Sequence, residues 1–265
     1  MTLFWLMLIP VVLLLGYQSK IIYHPQPYHE GSKRTLEKHG GVALEYVTGQ
    51  GRQVAHYIAA RDGSTGRIWM CFAGNGSRAL DWLAFRNEWD ASFGCLMIDY
   101  PGYGDCAGKP NPKSIRESSQ AAVVALAGHL QLTPEMLQPR LAVLGHSLGC
   151  AAGLMAAEDQ GVKKVVLISP FTTMTEMGRR LLGWPLCYLN LHRFDNRKSL
   201  ASVVKQGALV TIFHGTSDEV IPISMGRELA AVYPSAVTLH EETGQDHNFI
   251  LRNCSAKIHQ AMIGD

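Results

Sequence analysis

The stretch that most constrains the fold is LAVLGHSLGCAAGLMAAE, which runs from Leu141 to Glu158. Its apolar start predicts a buried strand and its Ala- and Leu-rich end predicts a helix, with GHSLG (145–149) between them. The two glycines let strand and helix pass closely, so the backbone turns sharply and exposes the serine hydroxyl. The helix N-terminus beside that hydroxyl favours a developing anion. This context predicts that Ser147 is a nucleophile, the alternative being an ordinary tight turn.

Apolar runs alternate with helical segments through the rest of the chain. VALEYVT and QVAHYIAA around GQGR predict an antiparallel hairpin, and the later predicted strands are RIWMCF, CLMIDY, RLAVLG, KKVVLIS, ALVTIFHG and AVTLHE. LDWLAFRNEWDASF has helical spacing, and Ser114 with Glu117 predicts a capping box at the start of the next helix. Such alternation predicts an α/β fold with a mostly parallel, twisted sheet and helices on both faces. Reactive groups then belong at the carboxyl ends of the strands.

Composition excludes several classes of protein. The 265 residues are enough for one α/β domain or two small ones, with 47% hydrophobic residues, 17% charged residues and a formal net charge of +2. Neither a basic stripe, nor zinc-type Cys/His spacing, nor a Walker-type glycine loop is present. We therefore expect no nucleic-acid partner, no metal and no cofactor. The six cysteines form no C-x-x-C pair, so buried thiols are expected, with a disulfide among Cys106, Cys187 and Cys254 left open.

The N-terminus is the compositional exception. Residues 3–16, LFWLMLIPVVLLLG, carry no charge and are followed by Tyr17, Lys20 and Tyr23. About 17 helical residues reach roughly 26 Å, slightly short of a ~30 Å hydrocarbon core. Residues 1–23 are predicted to be a single membrane anchor, with a cleaved signal peptide, which implies a secreted or periplasmic body, and a buried core helix as alternatives. Residues 24–40 are then a polar connector and 41–265 the catalytic domain.

A serine hydroxyl needs a base held by a third group. Among the 11 histidines, His247 in TGQDHNF follows the last predicted strand, where a base is expected in the chain order nucleophile, acid, histidine. His214 ends a strand, where a packed or hydrogen-bonded histidine is usual, and His146 adjoins the serine on a sharply turning element. His247 is therefore the predicted base.

The orienting acid should follow a strand that lies between the serine and the histidine in sequence. FHGTSDEVIP places Asp218 in the loop after ALVTIF, whereas the adjacent Glu219 is expected to face solvent. Asp246 directly precedes the histidine, so its carboxylate would need an awkward backbone to reach that ring. Asp99 ends an earlier strand, where it is expected to tie a loop. Asp218 is the predicted acid.

A second glycine-rich turn follows the first parallel strand. In CFAGNGS, Gly74 and Gly76 let the backbone amides turn inward. The amide of Asn75, or of Ala73, is expected to form an oxyanion hole with the amide of Leu148. Because both donors are backbone groups, the Asn75 side chain is expected to matter little.

Taken in order, GHSLG, HGTSDEVIP and DHNF resemble the α/β-hydrolase superfamily from about Val42 onward. FAGNGS, MIDYPGYGDCAGKP and the SPFTTM to RFDNRKSL stretch resemble a branch of small serine hydrolases with a short lid and an N-terminal hydrophobic anchor, which includes protein depalmitoylases and serine-aminopeptidase-like proteins. The resemblance implies an α/β-hydrolase fold. It also implies a triad of Ser147, Asp218 and His247, with oxyanion amides at Asn75 and Leu148.

Two positions differ from the residues that are usual in that branch. Ala73 stands where the branch usually has histidine, and Asp246 stands where a glycine often precedes the catalytic histidine.

The lid is expected at about residues 170–203. One interpretation is that its apolar residues form a wall for an acyl chain, and the other is that they cover the core. The candidate acyl-pocket residues are Leu181, Trp184 and Leu189.

These features together predict a serine hydrolase that cleaves carboxylic esters or thioesters of a small-molecule or lipidated substrate. A serine aminopeptidase is an alternative that needs an acidic pocket, for which Glu176 and Asp195 are candidates. A membrane-tethered binding protein without catalysis is the other alternative. Lys20, Lys33 and Arg34 follow the apolar segment and favour a cytoplasmic location for the catalytic domain. An N-terminus that lies in the cytoplasm gives the opposite topology. Neither the oligomeric state nor the physiological substrate follows from the sequence.

Overall fold

The computed structural model describes residues 17–264, so most of the predicted N-terminal anchor lies outside the described residues. The strands are β1 Val42–Thr48, β2 Gly51–Ile58, β3 Ile68–Phe72, β4 Gly94–Ile98, β5 Leu141–His146, β6 Lys164–Ile168, β7 Leu209–Gly215 and β8 Val237–Glu242. They form one eight-stranded sheet in the order β1-β2-β4-β3-β5-β6-β7-β8. β1 and β2 pair as the predicted antiparallel hairpin, and β2 also runs antiparallel to β4. All the other neighbours are parallel, which confirms the predicted sheet.

Helices cover both faces of this sheet. They are α1 Glu30–Lys38, α2 Pro112–Leu130, α3 Pro134–Leu137, α4 Leu148–Gln160, α5 Met174–Leu182, α6 Asn196–Lys205, α7 Ile223–Val232, α8 Ile250–Asn253 and α9 Ser255–Ile263. Residues 17–22 are also helical. Three 3₁₀ segments span Ala79–Phe85, Gln138–Arg140 and Leu186–Leu189.

Alternation along the buried strands divides the core into two layers. In β3, Met70 and Phe72 belong to one apolar cluster, whereas Trp69 and Cys71 belong to the other. The first cluster takes residues from α2, α4, α6 and α7, and the second takes residues from α1, α8 and α9. Because both faces are covered, the central strands are apolar throughout rather than alternating. All six cysteines are buried free thiols.

The prediction of a helix across LDWLAFRNEWDASF was wrong, because only the 3₁₀ segment Ala79–Phe85 forms there. The physical reason is a long-range contact. The guanidinium group of Arg61 donates hydrogen bonds to the carbonyl oxygens of Arg86 (2.8 Å) and Trp89 (2.5 Å). Carbonyl groups held in this way are not available to continue a regular helix.

Two other local predictions need correction. The polar connector 24–40 contains α1, whose Leu36 is buried against the sheet. The predicted capping box was one turn too late: α2 begins at Pro112, and Asn111 is the N-cap. Its side chain accepts a hydrogen bond from the Ser114 amide at 2.9 Å, while the Ser114 hydroxyl accepts one from the Asn111 amide.

The lid segment and the helical residues 17–22 lie at the carboxyl edge of the sheet. Within 170–203, α5 contains no buried residue, whereas Leu200 and Val203 of α6 are buried on the body. The 3₁₀ segment Leu186–Leu189 packs against α5. Across residues 17–264, we find no helix with both the length and the hydropathy that a bilayer crossing requires.

Candidate active site

Ser147 occupies the turn between β5 and α4, and its backbone is strained. Its φ of 55° and ψ of −118° lie in a region that non-glycine residues rarely adopt. A Cβ atom on Gly149 would lie 2.1 Å from the carbonyl oxygen of Phe72, and one on Gly145 would lie 2.5 Å from that of Gly149. Glycine at both positions therefore permits the close crossing of strand and helix that lifts the serine, as the sequence predicted.

The three predicted triad side chains lie in one hydrogen-bonded row. His247 Nε2 is 2.9 Å from Ser147 Oγ, and His247 Nδ1 is 2.8 Å from Asp218 Oδ2. Asp218 lies in the loop after β7 and His247 in the loop after β8, so the sheet brings together residues about 100 positions apart along the chain. Because Nδ1–H donates to the carboxylate, Nε2 is free to accept the serine proton.

The surroundings of Asp218 keep its carboxylate ionised. Burial raises its pKa, but three contacts together lower the pKa well below its usual value. These contacts are the His214 ring, whose Nε2 lies 3.5 Å from Oδ2, and the hydrogen bonds to the His247 ring and the Ile221 amide. Oδ1 accepts hydrogen bonds from the amides of Val220 at 3.0 Å and Ile221 at 2.8 Å. These bonds fix the carboxylate so that its second oxygen faces the imidazole.

The two histidines that were set aside as bases have structural positions. His214 donates from Nε2 to the Ile221 carbonyl at 2.8 Å, and its buried Nδ1 has no partner among the described residues. His214 Nε2 therefore carries a proton, which the Ile221 carbonyl accepts. His146 Nε2 lies 3.1 Å from the His247 carbonyl oxygen. Burial, with a smaller contribution from the nearby His247, lowers the pKa of His146 to about 4, so this ring is neutral at pH ~7.

The alternative acids also lie apart from the row. Asp246 accepts hydrogen bonds from the amides of Asn248 and Phe249. These two bonds stabilise the turn that contains His247. Glu219 is exposed. Asp99 accepts a hydrogen bond from the Ala79 amide at 2.8 Å and therefore ties a loop, as expected.

The two residues whose amides are predicted to bind an oxyanion line the same cavity as the serine. Asn75 and Leu148 line a cavity together with Ser147, and neither amide donates a hydrogen bond within residues 17–264. Ala73 lies instead beside a separate, smaller cavity, and its carbonyl oxygen accepts a hydrogen bond from Tyr100. Of the two predicted partners for Leu148, the geometry favours Asn75.

The expectation that the Asn75 side chain matters little does not fit the structure. Its Nδ2 donates to the Ile22 carbonyl at 2.6 Å, and its Oδ1 accepts from the His24 amide at 3.0 Å and the Tyr103 hydroxyl at 2.7 Å. Two of these hydrogen bonds hold the candidate oxyanion loop against the N-terminal segment, and the third holds it against the loop after β4. The sequence carries no local signal for contacts between positions so far apart.

The cavity above Ser147 has a volume of about 420 Å³, and most of its lining is apolar. Of the three predicted acyl-pocket residues, Leu181 lines it, whereas Trp184 is exposed and Leu189 is not part of the wall. Other residues of the wall were not predicted from the sequence: Ile21, Ile22, Met174, Met177 and Leu182. The spacing of the two methionines and Leu181 along α5 was a usable signal, because positions three, four and seven residues apart share one face of a helix.

The N-terminal segment, residues 17–24, also forms hydrogen bonds with the lid. Gln18 Nε2 donates to the Leu189 carbonyl oxygen at 2.7 Å, and Gln18 Oε1 accepts from the Leu191 amide at 2.7 Å. The Tyr23 hydroxyl lies 3.1 Å from Nδ1 of His192. Residues 17–24 thus bridge the lid and the candidate oxyanion loop.

The sequence profile of the Alpha/beta hydrolase family matches residues 70–246. The chain belongs to the alpha/beta hydrolase family. This alpha/beta hydrolase is 26% identical over 240 residues to an uncharacterized protein of Mycobacterium tuberculosis, covering 90% of this chain and 83% of that one. It is 31% identical over 155 residues to alpha/beta hydrolase domain-containing protein 17C of Xenopus tropicalis, covering 58% of this chain and 47% of that one. The fold is also that of a Pyrococcus furiosus esterase, with a TM-score of 0.69, 15% identity and coverage of 91% and 95% of the two chains.

Proposed function

We propose that this alpha/beta hydrolase cleaves carboxylic esters or thioesters through an acyl-enzyme on Ser147. The observation that carries the proposal is the unbroken row of hydrogen bonds from Ser147 through His247 to Asp218. Ser147, at one end of this row, lines an apolar cavity. A hydroxyl at 2.9 Å from a correctly oriented imidazole is within reach for proton transfer.

The first half of the proposed reaction forms the acyl-enzyme. Ser147 Oγ attacks the acyl carbon while His247 Nε2 takes its proton, and the ionised Asp218 stabilises the imidazolium through Nδ1–H. The amides of Asn75 and Leu148 donate to the oxyanion of the tetrahedral intermediate. The intermediate collapses when the bond from the acyl carbon to the alcohol or thiol breaks, and His247 returns the proton to that leaving group.

The second half releases the acid. His247 removes a proton from a water molecule, whose oxygen attacks the acyl carbon of the acyl-enzyme, and the same two amides hold the new oxyanion. Collapse breaks the bond to Ser147 Oγ, which recovers its proton from the imidazolium. The products are a carboxylic acid and the free enzyme.

The cavity supports a substrate with an apolar acyl group. Its wall of leucine, isoleucine and methionine side chains offers few groups to satisfy a polar chain. The two acidic candidates for an aminopeptidase are used elsewhere: Glu176 is paired with Arg197 at 2.7 Å, and Asp195 accepts from the Lys198 amide at the start of α6. The apolar wall therefore favours the ester and thioester assignment over a peptidase that binds a free amine, for which Glu219 is the acidic group that lines the cavity.

Labelling with a fluorophosphonate probe tests the proposal. The wild-type protein should label and should hydrolyse p-nitrophenyl butyrate, whereas Ser147→Ala should do neither. Ser224→Ala is the matched control, because this serine lies in the first turn of α7 outside the hydrogen-bonded row. Labelling that persists in a folded Ser147→Ala protein would refute the assignment.

A substrate panel then tests the type of bond. Butyryl thioesters and p-nitrophenyl esters of increasing acyl length should be hydrolysed, and aminoacyl amides should not. A folded protein that labels with no probe and hydrolyses no member of the panel would favour the non-catalytic binding protein. Carbonate extraction of cell membranes separately tests the predicted N-terminal anchor, because an anchored chain stays in the pellet.

A further inference from the structure

Large apolar side chains are exposed around the mouth of the cavity. Leu181 is 72% exposed, Trp184 71% and Leu191 66%. Together with three neighbours they form a surface that we call the lid patch: Tyr17, Ile21, Leu181, Trp184, Tyr188 and Leu191. Scattered exposed apolar residues are ordinary, but a concentration of this kind marks a surface that contacts something else.

The lid patch is one surface, because the three segments that carry it are packed together. The helical residues 17–22 are joined to the lid by both hydrogen bonds of the Gln18 amide group. α5 and the 3₁₀ segment Leu186–Leu189 are in direct contact, with Gly178 facing Cys187. Ile21 and Leu181 also line the cavity, so the patch reaches its rim.

The charges around the patch are mostly positive. Arg179 and Arg180 are exposed at the end of α5, and neither has an acidic partner within residues 17–264. Lys20 and Arg193 are also exposed. The acidic groups nearby are Glu176 and Glu228, which are both paired with Arg197, Asp195, which caps α6, and Glu219 at the cavity wall. An apolar surface with aromatic and basic residues at its border fits the interface of an anionic bilayer.

The position of the patch in the chain points to the same occupant. Residues 3–16 carry no charged side chain, and Tyr17 follows them directly. A residue advances the chain by at most ~3.6 Å, so a bilayer that holds the apolar segment lies close to Tyr17. Gln18, the next residue, contacts the lid. The lid patch is therefore placed where such a bilayer begins.

We propose that the lid patch docks on the surface of an anionic lipid bilayer and turns the mouth of the cavity toward it. The apolar side chains enter the boundary between headgroups and acyl chains, while Arg179 and Arg180 lie at the level of the lipid phosphates. This contact is additional to the predicted anchor at residues 3–16 and does not depend on the catalytic assignment.

The proposal is tested by measuring how deeply a fluorescent label on a single introduced cysteine enters the bilayer, in the full-length protein. Trp184→Cys places the label in the lid patch, and Val124→Cys is the matched control. Both native side chains are 71% exposed. Val124 lies on α2, which packs on β1. All six native cysteines are buried, so a nitrobenzoxadiazole label should attach to the introduced thiol, with unlabelled wild type as the check. The protein is reconstituted in phosphatidylcholine vesicles that contain phosphatidylserine and doxyl-labelled lipid.

The fluorescence emission of the label at position 184 should shift to shorter wavelength and be quenched by the doxyl lipid. The emission of the label at position 124 should neither shift nor be quenched. Neutralising both arginines (R179Q/R180Q) should lower the ratio of docked to undocked lid by up to about 30-fold, about fivefold for each charge. Equal, weak quenching at the two positions would overturn the proposal, as would quenching that is unchanged in R179Q/R180Q. Protection of position 184 from iodide before vesicles are added would show that protein covers the patch instead.

Discussion

The most informative single substitution is Asn75→Ala. It leaves the backbone amide that is proposed to bind the oxyanion and removes the side chain that holds that amide in place. The three hydrogen bonds to Ile22, His24 and Tyr103 disappear together. A loss of activity would therefore report on how the loop is positioned, and not on the loss of an oxyanion donor.

The magnitude follows from those three bonds. Each contributes ~1 kcal/mol net, less where solvent reaches the group, so about 2 kcal/mol is lost in favour of other loop conformations. This lowers the ratio of the competent conformation to the other conformations about 30-fold, and its population by up to that factor. Loss of an oxyanion donor costs ~10²–10³ in kcat, so the expected effect lies just below complete loss of the Asn75 amide.

The assay is steady-state hydrolysis of p-nitrophenyl butyrate, with thermal unfolding measured in parallel. Asn75→Ala should lower kcat by up to about 30-fold with little change in KM, because the ground-state contacts in the apolar cavity remain. Tyr103→Phe removes only one of the three bonds and should cost about fivefold. A folded Asn75→Ala enzyme that keeps the wild-type kcat would refute the reasoning.

Three further predictions concern the site and its support. Asp218→Asn should lower kcat by about 10⁴-fold, because an amide no longer selects the required imidazole tautomer, and an active variant would contradict the triad. His146 has a folded pKa of about 4 against ~6.5 when unfolded, so its contribution to stability is complete above pH ~6.5 and is lost as the pH falls through the folded pKa. Urea unfolding should show about 2 kcal/mol less acid destabilisation in His146→Gln between pH ~7 and ~5, and an equal loss would contradict this. Gly149→Ala should fail to fold or unfold at lower temperature because its Cβ meets the Phe72 carbonyl, whereas Gly128→Ala has open space and should gain up to about 1 kcal/mol.

Much of the fold and the row of candidate catalytic residues follow from local patterns. The parallel strands are apolar throughout because helices cover both faces, so each run is visible in the sequence. Ser147 is identified by the glycines on either side of it, and Asp218 and His247 by their places after β7 and β8. In these cases a single segment contains the whole signal.

What the sequence could not predict depends on contacts between distant segments. Arg61 ends a helical pattern that is locally convincing, by binding carbonyl groups more than twenty residues away. Ile21 and Ile22 belong to a wall of the cavity although their composition suggests only a continuation of the apolar N-terminus. The Asn75 side chain is polar and exposed, and only its partners show that it is held.

The strained backbone at Ser147 also limits which other nucleophiles this enzyme can be given. With φ at 55°, a β-branched side chain is strongly disfavoured, so threonine would add a methyl group at a turn that is already crowded at Gly145 and Gly149. Cysteine keeps an unbranched Cβ and places a thiol at nearly the same point. Conversion to a thiol-dependent catalyst is therefore compatible with the turn, and conversion to a threonine-dependent one is not.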